Sequence, residues 1–176
     1  MGFIRDEQIW RLQKDLLSHL EAATGDRDIT YTICQPRFSD GVPHICVWPD
    51  TKEVVAYLSR SAERYWPSLV FELAHESVHL LNPRVGGTNV LEEGVATYFQ
   101  YHVTPEVCGV RIPITVPAYV EAKAAVEALG VDVIDLARSL RERFGSLGET
   151  TADVLAELCP QASSATVARA AAQFQP

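Results

Sequence analysis

The chain has 176 residues, long enough for one domain with a sizeable core, and 47% hydrophobic against 22% charged residues places it among ordinary globular proteins. Its formal charge of −8, with no stripe of Lys and Arg, argues against nucleic acid as a partner, because phosphate contacts need clustered cations. No apolar run approaches the roughly 20 residues of a membrane span. The promptly charged opening Met1-Gly-Phe-Ile-Arg-Asp-Glu7 lacks the pattern of a secretory signal, so no membrane partner and a cytoplasmic location are expected.

In chain order, Asp6–Ala23 reads as an amphipathic helix whose apolar stripe is Ile9, Leu12, Leu16, Leu17 and Leu20, ended at Gly25. His19 on this helix is read as a surface residue. Three strand candidates follow, Ile29–Cys34, Pro43–Trp48 and Glu53–Ser59, separated by Pro36, the Ser39-Asp-Gly41 cluster and Pro49-Asp-Thr-Lys52. Trp48 and Tyr57 default to packing. Ser61–Trp66 then leads into Pro67, which suits a first helical turn because its missing N–H is not needed there.

The helix expected over residues 67–82 contains His75-Glu76-Ser77-Val78-His79 and buries Val70, Phe71, Ala74, Val78 and Leu81. Histidines four apart lie on one helix face, so both imidazoles reach a single ion. Imidazole nitrogen suits Zn²⁺, and a catalytic zinc site keeps one position open for water. Glu76 sits beside the pair, where a carboxylate can take a proton from that water. Glu72, one turn before His75, reads as a solvated acid.

A turn over residues 83–88 precedes a second helix, Val90–His102, that buries Leu91, Val95 and Phe99. Two adjacent acids there compete for the third ligand position. Asn89 is a good N-cap, which puts Glu92 at the third helical position, where its carboxylate reaches back to the cap. Glu93 points about 100° away from Glu92 and is assigned to the metal. His102 lies about 13 Å beyond Glu93 along the axis, too far for the same ion.

This pattern, an HExxH helix followed by a helix carrying Leu91-Glu-Glu-Gly-Val-Ala-Thr-Tyr98, resembles the gluzincin zinc peptidases. The second segment looks most like the Asn-Glu-Gly-Phe-Ala-Thr-Tyr run of the neutral aminopeptidases. The resemblance implies His75 and His79 as ligands, Glu76 as general base and Glu93 as third ligand, with Thr97 supporting the site from one turn further on. It covers about a fifth of the chain, residues 66–102 of 176. Glu92 replaces the usual asparagine, and only thirteen residues separate His79 from Glu93, a shorter connection than the aminopeptidases use. Zincin-like folds place a sheet-edge strand over the cleft, a role the resemblance suggests for Glu53–Ser59 beside its plain reading as a core strand. Gluzincins commonly stabilise the oxyanion with a downstream Tyr or His, and Tyr119 is the first tyrosine after the two helices.

Thr104–Pro117 reads as an irregular loop carrying Arg111, and helices are expected over Pro117–Leu129, Asp132–Phe144, Thr151–Leu158 and Ser163–Phe174. The C-terminal part carries no catalytic signature and is read as scaffold or docking surface. Cys34, Cys46, Cys108 and Cys159 have no CxxC spacing, so a second zinc site is not expected. Free thiols are favoured, with a Cys34–Cys46 bridge across neighbouring strands as the alternative.

The expected fold is α+β and zincin-like: a small mixed sheet of about three or four strands on the two metal helices, with a C-terminal helical layer. One domain, 1–176, would hold an N-terminal helix and sheet (1–65), the zinc-site helices (66–102) and a loop with C-terminal helices (103–176). The expected function is zinc-dependent hydrolysis of peptide bonds, as an endopeptidase acting on a peptide or protein. The alternatives are a zincin-fold interaction protein with little catalysis and a regulated cytoplasmic peptidase that cuts one partner.

Overall fold

The computed structural model describes residues 4–175. Among them are seven α-helices, a 3₁₀ turn and four short strands, a mixed α/β architecture. The chain divides into two compact units, one of residues up to 22, 26–85 and 99–113, the other of residues 23–25, 86–98 and from 114 onward. No helix among the described residues is long and apolar enough to cross a membrane.

The first unit carries the sheet, formed by β1 (Thr32–Ile33), β2 (Arg37–Ser39), β3 (His44–Trp48) and β4 (Glu53–Ser59). β3 runs antiparallel to β4, pairing His44 with Tyr57 through to Trp48 with Glu53. β1 and then β2 lie parallel to β4 on its other side, with Thr32 opposite Glu53 and Arg37 opposite Tyr57. The sheet is therefore mixed, and β4 is its central strand. That corrects the edge role suggested for Glu53–Ser59. Val54, Val55, Ala56 and Leu58 are all buried, as expected of a strand covered on both faces. Among the described residues β3 pairs with β4 alone, so it is β3 that forms an edge.

The expected strand Ile29–Cys34 shrinks to two residues, and pairing resumes beyond Pro36 in β2, which the sequence reading missed. Pro36 has no N–H for the ladder and falls in the gap between the two short strands. Cys34 donates its backbone N–H to Val54, whereas Cys46 faces Val55 from β3 on the other side. With β4 between them the two strands are not neighbours, which overturns the bridge alternative; all four thiols are free.

Helix α1 (Asp6–Thr24) buries its whole predicted stripe. His19 is exposed, its ring beside that of Phe99 at 5.7 Å. A 3₁₀ turn (Arg60–Arg64) leads to α2 (Trp66–His79), which carries Pro67 in its first turn and packs on β4. Its buried side includes Leu69 and Leu73 beside Val70, Ala74 and Val78, while Phe71 is half-buried. Glu72 is not a solvated acid: its two carboxylate oxygens accept from the Ser59 N–H at 2.8 Å and the Ser59 hydroxyl at 2.6 Å, tying α2 to the end of β4.

Helix α3 (Val90–Cys108) belongs to both units and runs past the expected stop at His102, through Pro105. Burial of Val103 and Thr104 holds this extension in place. The Thr104 hydroxyl donates to the Gln100 carbonyl, and the turn closes again with Gly109 N–H donating to Pro105. Only one intrahelical bond is lost to the proline.

The second unit is helical: α4 (Pro117–Glu127), α5 (Val133–Phe144), α6 (Ala152–Leu158) and α7 (Ser164–Ala171). Asp132, Thr151 and Ser163 cap the last three by accepting from N–H groups of their first turns. Buried Arg141 of α5 donates to the carbonyls of Thr24 and Gly25, which closes the end of α1. α3 approaches α4 so closely that a Cβ on Gly94 would lie 2.5 Å from the Ala122 carbonyl oxygen. α7 stops at Ala171, short of the expected Phe174, because the residues after it pair with the segment entering α3.

Candidate metal centre

The metal-type residues sit on α2 and α3 because both helices are apolar over most of their surface and so are buried. Over the last turns of α2 every residue from Leu73 to His79 is buried. Ser77 is accommodated there by donating its hydroxyl to the Leu73 carbonyl, at 2.7 Å. His75 and His79, one turn apart, bring their ring centroids to 5.1 Å with planes inclined by 62°. Glu76 lies between them in sequence and is 2% exposed.

Glu93, in the first turn of α3, supplies the third donor. One donor atom each from His75, His79 and Glu93 lie within 4.8 Å of one another, and all three side chains are buried. The start of α3 separates the two acids as their phasing predicts. Asn89 accepts the Glu92 N–H through its side-chain oxygen at 2.8 Å, which makes Asn89 the cap and Glu92 the third helical residue. The Asn89 amide in turn donates to the Leu147 carbonyl, anchoring the cap on the loop after α5.

Support for Glu93 comes from a residue the sequence reading passed over. The Thr88 hydroxyl donates to Glu93 Oε1 at 2.5 Å. Thr97, expected to play that part, is fully buried and its hydroxyl has no hydrogen-bond partner among the described residues. Thr88 precedes the helix and can lie over its first turn. The only hint in the sequence was its place just before the cap.

The donor set fits a divalent transition ion. Two neutral imidazoles and one carboxylate are a recurrent catalytic zinc set, and they leave one charge to offset two. Donors about 2.1 Å from one ion at tetrahedral angles stand roughly 3.4 Å apart. A cation would also offset the several kcal/mol that burial of an ionised carboxylate costs.

The remaining candidates make aromatic contacts. His102 is exposed, its ring edge-on to Tyr101 at 5.6 Å. The Arg111 guanidinium lies over the Tyr101 ring, 4.4 Å from its centre. The ring of Tyr119 is stacked on Phe174 at 5.2 Å. No family model, curated protein or solved structure matches the chain.

Proposed function

We propose that the protein is a zinc-dependent peptidase that hydrolyses peptide bonds within a chain. The observation that carries this reading is the buried convergence of His75, His79 and Glu93 with Glu76 next in sequence to the first ligand. Bound there, Zn²⁺ would supply Lewis acidity, lowering the pKa of water toward about 7 and polarising a carbonyl. His75, His79 and Glu93 would hold it and leave one side open. Glu76 takes the proton of the attacking water at its carboxylate and returns it to the nitrogen of the departing amine. The Tyr119 hydroxyl is the candidate donor to the oxyanion. A zincin-like arrangement of the whole chain belongs to this proposal as well.

Peptide as the substrate class is supported by β3, an edge strand next to α2. Its outer N–H and C=O groups suit an extended chain added as a further strand. The test is digestion of a mixed peptide library by zinc-loaded protein, with and without chelator, beside Glu76→Gln. The expected outcome is chelator-sensitive cleavage by the wild type and bound zinc without turnover in the variant. Full activity in Glu76→Gln would refute the mechanism. Zinc-loaded wild type that cuts no library peptide, but cleaves a co-purified protein, would mean a peptidase for one partner. Cleavage of neither would point to a binding role.

A further inference from the structure

The residues after α7 carry no chemistry of their own, yet they lie on the loop that leads to Glu93. The Phe174 N–H and the Gln173 side-chain amide both donate to the Thr88 carbonyl, at 2.9 and 2.7 Å. The Val90 N–H donates to the Ala172 carbonyl at 2.8 Å, and Asn89 and Gln173 form an antiparallel bridge. Phe174 is anchored in turn by stacking on Tyr119 of α4. Gly87 leaves room for this docking, because a Cβ there would collide with the Gln173 amide. Thr88, held by its carbonyl from one side, donates its hydroxyl to Glu93 on the other.

We propose that the tail segment Ala172–Phe174 and Thr88 form a positioning relay for the third metal ligand. The tail fixes the peptide of Thr88, and the Thr88 hydroxyl fixes the rotation of the Glu93 carboxylate. The affinity of His75, His79 and Glu93 for a divalent cation therefore depends on the docked tail. The relay rests on the metal reading above and adds to it a remote control on loading. A ligand carboxylate left to rotate must be ordered when the ion binds, and losing such an outer partner typically weakens metal binding about 10–100-fold.

The test uses full-length protein and Zn²⁺ titrated against a chromophoric chelator, with the visible spectrum of the Co²⁺ form as a second readout. Thr88→Val should bind zinc about 10–100-fold more weakly and shift the Co²⁺ bands, while Thr88→Ser restores both. Gln173→Ala combined with Phe174→Ala should weaken binding in the same direction. Adding Thr88→Val to that pair should cost no more than Thr88→Val alone, because the tail acts through the hydroxyl. Far-ultraviolet circular dichroism of each metal-free variant checks that it is folded. Wild-type affinity in folded Thr88→Val, or strictly additive losses, overturns the relay. A wild type that binds neither ion overturns the metal reading itself, and the relay with it.

Discussion

Glu92 and Glu93 are neighbours in sequence, but only Glu93 joins His75 and His79 in the metal-type group, and the N-cap bond from Glu92 N–H to Asn89 sets the phase that separates the two acids. Glu93→Gln should therefore lower zinc affinity by more than the roughly 10–100-fold typical of losing an outer partner, and Glu92→Gln by less. Chelator competition on both variants checks this, and the reverse order would move the third ligand to Glu92. Glu72 makes a prediction about pH. Burial pushes its carboxyl above the usual carboxylate range, and the hydrogen bonds from Ser59 only partly counter this. A raised folded pKa means that the fold favours the neutral form. That contribution is complete below the unfolded value and is lost as pH rises through the folded one. Glu72→Gln stays neutral throughout, with an amide that can accept from the Ser59 N–H and donate to its hydroxyl. Wild-type stability relative to Glu72→Gln should fall as pH rises from about 4.5, and urea unfolding of both proteins over a pH series measures it. Wild-type stability that rises relative to Glu72→Gln over the same pH range would contradict the raised pKa.

At the scale of elements, the approach of α3 to α4 explains the glycine in Glu92-Glu93-Gly94. Alanine there would gain about 1 kcal/mol of helix propensity. Against this, its Cβ would meet a backbone oxygen and a Val126 methyl, each at 2.5 Å. Overpacking of this kind costs about 1–3 kcal/mol, and a helix backbone cannot step aside as a side chain can. Gly94→Ala should thus destabilise the protein by up to about 2 kcal/mol in chemical denaturation. A stabilised variant would show that the two helices part easily. α3 itself shows the limit of local rules. Pro105 argues for a break, but buried Val103 and Thr104 keep the helix going for another turn. Tertiary packing outweighs a single missing hydrogen bond.

For the whole molecule, the proposed ion is a source of stability because it binds the folded arrangement and not the unfolded chain. Zinc at about 100 times its Kd should add about 2.7 kcal/mol. For a chain of this length that corresponds to a rise in Tm of about 5–10 °C, reversed by a chelator. Thermal scans with and without zinc test it, and an unchanged Tm would sink the metal reading. The metal-type pattern was legible beforehand for a physical reason. Helix phase is local, so the spacing of His75 and His79 and the cap at Asn89 can be read from neighbours a few residues apart. The amphipathic stripe of α1 and the starting points of α5 to α7 were legible on the same ground. Partners distant in sequence were not. Whether β4 lies at the edge or the centre depends on β1, β2 and β3 all choosing it, and no local pattern encodes that choice. The tail bond from Gln173 to Thr88 joins residues 85 apart, and only the folded chain brings them together. The sequence alone determined which side chains can bind an ion; the tertiary structure decided what holds them in place, because such support is made of contacts between segments that have no neighbourhood in sequence.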